Sequence, residues 1–183
     1  MDPQLTGQAD LNNDSVVNVA ALLREQTGST RFYRFEIDRF RLDDDLDAVD
    51  LSGTVRLTRL TDAILVSVRA ETNVELECQR CLERFSLPVP IAFDEQFRIA
   101  YDVRRGTAIE GEADVGDERP EISENHELDF SEPMRQEIIV ALPMRPVCGP
   151  QCPGPPVFTA GDEEEGSGQF SALASLLGPS DDE

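Results

Sequence analysis

The chain has 183 residues, 39% of them hydrophobic and 29% charged, which suits one globular domain with polar margins. The formal net charge of −21 disfavours a general nucleic-acid-binding surface, because affinity for phosphate depends on Lys and Arg. No apolar run reaches the roughly 18 residues of a membrane span, and the acidic start lacks the basic flank of a signal peptide. We therefore expect a cytoplasmic protein with no membrane partner.

The first segments predict a leader and a short helix. Residues 1–15 are polar and rich in turn formers, so we expect a disordered leader. Asn18 can cap a helix, and Gly28 follows its end as a stop signal. The apolar face of this helix would consist of Val19, Leu22 and Leu23.

Alternation of apolar and polar residues then predicts a series of strands. The acidic stretch 43–50 is expected to interrupt the series, and Thr61-Asp62 is expected to turn a hairpin in which Arg56 and Arg59 face solvent. Pro88 and Pro90 indicate an edge strand. The predicted strands are 31–38, 54–60, 64–70, 72–77 and 85–97.

The second half predicts one more core element and two acidic segments. Residues 104–125 are rich in Gly, Asp and Glu, which predicts a mobile insertion within a domain spanning 16–154. Ser131 can cap a helix that Pro143 ends, with a buried stripe formed by Met134, Ile138 and Leu142. Residues 155–183 form an acidic tail with a short helix predicted at 170–177. The fold class is therefore α+β: an antiparallel sheet, which could be barrel-like, with two or three short helices.

Four cysteines form two closely spaced pairs, Cys78-Gln79-Arg80-Cys81 and Cys148-Gly149-Pro150-Gln151-Cys152. Two-residue and three-residue spacings both allow a turn that points two thiolates at one metal ion, and zinc is the metal favoured by four thiolates. Two alternatives stay open: reduced thiols that pack as small apolar side chains, and a redox pair at Cys78 and Cys81. Because the late helix must return its apolar stripe to the sheet, we expect Pro143 to direct the second pair toward the first.

Other candidate groups are less informative. His126, the sole histidine, lies among acidic residues and is interpreted as a surface side chain rather than a general base. Several arginines could form a local basic face for RNA phosphates, or could instead pair with glutamates on neighbouring strands. The arginines are Arg56, Arg59, Arg69, Arg80 and Arg84, and the glutamates are Glu71, Glu75, Glu77 and Glu83.

Several segments, in the same order, resemble the YceD-like family of large ribosomal RNA subunit accumulation proteins. The segments are the opening helix 18–25, the hairpin 53–69, Leu76-Glu77-Cys78-Gln79-Arg80-Cys81-Leu82-Glu83, and 128–144 with the following Cys148, Cys152 and Gly154. Many relatives carry a further CxxC after the position of Gly154, where this chain has Pro155-Pro156-Val157-Phe158. Cys148 and Cys152 would therefore have to serve as the second ligand pair if zinc is retained.

The resemblance implies a non-enzymatic factor in large-subunit ribosome biogenesis that supports accumulation or processing of large-subunit ribosomal RNA. Its expected partners are a ribosomal RNA precursor, a basic large-subunit ribosomal protein, or both, since an acidic chain favours a basic partner. The alternatives are a thiol redox protein using Cys78 and Cys81, and a zinc-stabilised interaction module unrelated to ribosomes.

Overall fold

The computed structural model describes residues 9–12, 15–103, 105, 107 and 119–155. Within these ranges the elements, in chain order, are β1 (Ala9–Asn12), β2 (Val16–Asn18), α1 (Ala20–Leu23), β3 (Thr30–Asp43), β4 (Leu46–Arg59), β5 (Ala63–Glu77), β6 (Arg84–Ile99), β7 (Glu121–Ile122), β8 (Glu127–Asp129) and α2 (Ser131–Ala141). No helix in the described part of the chain is long and apolar enough to cross a membrane.

A curled six-stranded sheet dominates the fold, in the order β1-β3-β4-β5-β6-β7. Its four long strands pair antiparallel with their sequence neighbours, whereas β1 pairs with β3, and β7 with β6, in parallel. Strands β2 and β8 form a separate antiparallel pair. The prediction of an antiparallel sheet with short helices is confirmed for the long strands and for two helices, and the predicted helix at 170–177 lies outside the described residues.

The acidic stretch after β3 does not interrupt the sheet, so that prediction is wrong. Strands β3 and β4 each have 14 residues, and Asp43 pairs with Leu46 across a tight turn. The Asp43 carboxylate accepts a hydrogen bond from the Asp44 N–H at 2.8 Å, and the Arg41 guanidinium donates to two backbone oxygens of the turn. Aspartate is favoured in turns because its side chain can bond to nearby backbone in this way.

Two segments expected to be disordered or mobile contribute strands. Part of the predicted leader, Ala9–Asn12, pairs with residues Tyr33 to Glu36 of β3. At the end of the predicted insertion, Ile122 is buried beside the end of β6, so residues 119–125 are part of the folded domain. Residues 1–8, 13, 14, 104, 106 and 108–118 lie outside the described part of the chain.

The prolines of β6 lie where the sheet has an open side. Pro88 and Pro90 pair with Asn73 and Glu71 of β5, while β7 contacts only Arg98 and Ile99 at the far end of β6. Because the two prolines are two residues apart in the strand, the N–H groups that they lack would both point to the same, outer side. The prediction of an edge strand at these prolines is confirmed for the described residues.

The core lies between one face of the sheet and a layer made of α1, α2 and the β2–β8 pair. From α2, Met134 and Ile138 are fully buried and Leu142 is half-buried, which confirms the predicted stripe. The rings of Phe35 and Phe130 meet edge-to-face with centroids 5.6 Å apart, an arrangement that aromatic pairs favour.

Both helix starts differ in detail from the prediction. Helix α1 is a single turn whose capping position is Val19 rather than the predicted Asn18. The Asn18 side-chain oxygen still accepts a hydrogen bond from the Ala20 N–H at 3.1 Å. In α2, Ser131 is the first helical residue rather than the cap, because Asp129 supplies the carboxylate that accepts from the Ser131 N–H at 2.9 Å. As predicted, the helix ends before Pro143, with Leu142 in an extended conformation.

Candidate metal centre

The first cysteine pair lies in the turn between β5 and β6. Cys78 donates its N–H to the Glu83 carbonyl at 2.9 Å and accepts at its own carbonyl from the Leu82 N–H at 2.8 Å. These two bonds close a tight loop in which Leu82 adopts a left-handed conformation, with φ 62°. The turn points both cysteine side chains toward the segment that follows α2.

The second pair lies in the turn after α2. The Cys152 N–H donates to the Gly149 carbonyl at 3.2 Å, and Gly149 has a φ of 124°, which favours glycine. The Gln79 N–H of the first turn donates to the Pro146 carbonyl at 2.9 Å, so backbone hydrogen bonding joins the two segments.

The four sulfurs form one cluster. The Sγ atoms of Cys78 and Cys152 are 3.7 Å apart, as are those of Cys81 and Cys148, and all four lie within 4.8 Å of one another. Tetrahedral coordination at about 2.3 Å places thiolates about 3.8 Å apart. The prediction that the two cysteine pairs meet is therefore confirmed. The upper limit of 4.8 Å on the Sγ–Sγ distances exceeds the roughly 4 Å expected for a closed zinc site.

The surroundings of Cys78 favour a thiolate. Its pKa is lowered to about 6, chiefly by a hydrogen bond from the Cys81 N–H, against the opposing effect of burial. The N–H groups of Arg80 and Cys148 also point at this sulfur, at 3.5 and 3.4 Å. Backbone N–H groups that point at a sulfur ligand help to hold structural metal sites in place.

The thiols differ in accessibility in a way that bears on chemistry. Cys78 is fully buried, whereas Cys148 is exposed and its pKa is raised to about 12, first through its hydrogen bond with Cys152 and then through burial of the sulfur. Thiol–disulfide exchange needs an accessible thiolate. Here the sulfur that favours the thiolate is shielded, and the exposed residue favours the thiol.

The arginines proposed as a basic face do not lie together on one surface. Arg56 and Arg69 line an outward depression with Phe32, Thr54 and Ser67, and the nearest acid of Arg69 is Asp94, at 4.0 Å, rather than one of the four glutamates considered. Arg80 and Arg84 are exposed in the cysteine turn and at the start of β6.

Two other predictions about single side chains need correction. Arg59 shares its strand face with buried Val55 and Leu57, so its predicted solvent-facing position is wrong. Its position three residues after Arg56 gives the opposite face of a strand, which was the signal in the sequence that could have placed it. His126 is half-buried in a turn with φ 60°, rather than a solvated surface side chain.

Comparison with known proteins identifies the family. A model described as "Large ribosomal RNA subunit accumulation protein YceD" matches residues 66–177, which is more than half of the chain and includes all four cysteines. The chain belongs to the YceD family. The resemblance found in the sequence is thereby confirmed.

Similar chains in the same comparisons come from mycobacteria. Proteins described as uncharacterized, from two strains of Mycobacterium tuberculosis and from Mycobacterium bovis, are each 25% identical over 190 residues, covering 97% of this chain and 88% of the relative. No solved structure matches the chain.

Proposed function

We propose that this chain is a cytoplasmic, non-enzymatic factor in large-subunit ribosome biogenesis that supports accumulation or processing of large-subunit ribosomal RNA. Membership in the YceD family, which is described as a family of large ribosomal RNA subunit accumulation proteins, carries the proposal. The partners would be a ribosomal RNA precursor, a basic large-subunit ribosomal protein, or both.

The charge of the chain supports a protein partner in particular. A net charge of −21 repels RNA phosphate and attracts the basic surfaces of ribosomal proteins, and complementary charge speeds encounter. The outward depression lined by Arg56 and Arg69 is a local exception to that charge and offers a place for RNA contact.

We further propose that Cys78, Cys81, Cys148 and Cys152 hold a structural zinc ion. The donor set fits zinc because four sulfurs converge from two turns, and backbone N–H groups already point at one of them. The ion would tie the β5–β6 turn to the segment after α2 and would contribute folding free energy. The shielding of Cys78 favours this structural role over thiol redox chemistry.

The zinc proposal is tested by changing the first pair. We expect purified protein to carry one zinc per chain, and Cys78→Ser with Cys81→Ser to release it and lower the unfolding free energy by several kcal/mol, roughly the scale of removing a structural ion. Gln79→Ala is the matched control, since the exposed side chain lies in the same turn and its backbone bond to Pro146 is retained. Protein that contains no metal, and whose stability is unchanged by the double substitution, would refute the zinc proposal.

The ribosomal role is tested by identifying what binds the tagged chain in cells. We expect enrichment of large-subunit ribosomal RNA precursor or basic large-subunit proteins, with the protein contacts weakening as salt rises because exposed charges are screened. An unrelated tagged protein of similar length and net charge is the control. Enrichment no greater than that of the control would remove the proposed role.

A further inference from the structure

A cavity lies at the end of the sheet opposite the cysteines. Strand β5 begins beside the cavity and ends at the cysteine turn, 15 residues later, so about 50 Å of strand separates the two sites. The cavity has a volume of about 470 Å³ and is lined on its apolar side by Leu23, Ile99 and Val103, with Tyr101 beside them. This size is within the range of small-molecule sites in proteins.

Arg59 lines this cavity from the packed face of the sheet. It is the last residue of β4 and pairs with Ile64, which is fully buried. Its Nε and Nη1 atoms are buried, and neither has a hydrogen-bond acceptor among the described residues. A guanidinium stays charged at any ordinary pH, and burying its donors without a partner costs free energy. The guanidinium therefore has hydrogen-bond donors that the described residues leave unused.

The acidic residues around the cavity already have partners. Asp62 accepts from both terminal nitrogens of Arg119 at 3.1 Å, and Glu25 forms an ion pair with Arg31. The third acid, Asp102, accepts at its carboxylate from the Arg105 N–H at 3.0 Å.

A second arginine contributes to the site. Arg24 lines the same cavity, and its guanidinium makes no hydrogen bond or ion pair with any residue that the structure describes. Because Asp62 and Glu25 are paired with arginines outside the lining, Arg24 and Arg59 are the lining cations left to meet a ligand.

We propose that this cavity binds a phosphate-bearing ligand of nucleotide size, with Arg59 and Arg24 contacting the phosphate. Phosphate supplies several oxygen acceptors, which suits two guanidinium groups. The cavity is much larger than a phosphate alone needs, and its apolar wall with Tyr101 suits a base and sugar. The site lies apart from the cysteines and does not depend on the proposed ribosomal role.

The test compares thermal unfolding of the full chain with adenosine monophosphate, inorganic phosphate and adenosine. Millimolar adenosine monophosphate should raise Tm by about 3 °C or more, inorganic phosphate should act only at concentrations about tenfold higher, and adenosine should have no effect. Arg59→Met should abolish the rise while leaving the ligand-free Tm unchanged or higher, because two buried donors without acceptors are replaced by an apolar side chain. Arg56→Met, on the outward face of the same strand, should keep the full response.

Arginine side-chain nitrogen resonances provide a second measurement that does not depend on any variant. The Arg59 Nε–H signal should shift on addition of adenosine monophosphate. Equal stabilisation of the wild type and Arg59→Met, or an Arg59 signal unmoved by 10 mM ligand, roughly the upper end of useful affinities, would overturn the proposal. A 5′-phosphorylated hexaribonucleotide distinguishes the sources: tighter binding than the mononucleotide indicates an RNA end, and equal binding indicates a free nucleotide.

Discussion

Gly53 occupies a point in β4 where any side chain would collide with β5. A Cβ atom at this position would lie 2.4 Å from the Ala70 Cβ and 2.5 Å from the Arg69 carbonyl oxygen. The second contact involves backbone, so rotating a side chain cannot relieve it. The residue is needed for the close pairing of these two strands rather than for a turn.

Gly53→Ala should therefore destabilise the protein markedly. We expect a loss of at least about 2 kcal/mol in the free energy of unfolding, because overpacking forces the strands apart. Urea unfolding followed by circular dichroism measures it. Thr54→Ala, at the next and exposed position, should cost about 1 kcal/mol or less. Equal losses for the two variants would show that the close approach is relieved at little cost.

Helix α2 joins the sheet through its buried face and through Arg135. The Arg135 guanidinium donates to the Leu42 carbonyl of β3 at 3.2 Å and to both carboxylate oxygens of Glu132, at 2.8 and 2.7 Å. The hydrogen bonds from Arg135, and then from Gln136, lower the pKa of Glu132 to about 2. Folding therefore favours the charged form of this carboxyl.

The lowered pKa of Glu132 predicts a pH-dependent effect of Glu132→Gln. Because the folded pKa is below the unfolded value, the contribution is present above about pH 4.5 and is lost as the pH falls toward 2. The side chain is largely exposed, so we expect Tm to drop by only about 1–2 °C at pH 7. The difference from wild type should shrink between pH 4.5 and 3.5. A gap independent of pH would contradict this account.

Individual elements were predictable where the signal was local. The Thr61-Asp62 hairpin and the buried face of α2 follow from periodicity in adjacent residues, which is why both are confirmed. The strands at Ala9–Asn12 and Glu121–Ile122 are short and acquire their structure by pairing with distant segments. Nothing in their own residues identifies the partner strand.

The two candidate sites also differ in how far the sequence predicts them. The meeting of the cysteine pairs could be predicted because α2 must return to the sheet and Pro143 then redirects the chain. The cavity at Arg59 could not, because it depends on α1, Asp62 and the end of β6 coming together. Segments that are distant in the sequence enclose the cavity, and Arg24 and Arg59 lie on different ones.

At the scale of the whole molecule, charge is strongly unbalanced. The chain has 37 acidic and 16 basic residues, and seven of the acids lie in the last 22 positions of the sequence. Such an excess repels itself in the compact state and lowers stability at low ionic strength.

Added salt should therefore stabilise the protein. We expect Tm to rise by a few degrees, about 2–5 °C, between 10 and 150 mM sodium chloride, as the screening length falls from about 30 to 8 Å. Tetramethylammonium chloride should give the same rise, because screening does not depend on which cation is present. A rise confined to sodium would indicate a specific ion site instead, and a fall in Tm would show that attractive pairs outweigh the repulsion.

The long separation of the cysteine pairs has a consequence for synthesis on the ribosome. Strands β3 to β6 pair with their sequence neighbours and can form one after another as the chain emerges. Cys81 and Cys148 are 67 residues apart, so the sulfur cluster cannot assemble until α2 and the turn after it have also left the exit tunnel. At about 5–20 residues per second, a nascent chain would expose Cys78 and Cys81 for several seconds before their partners arrive.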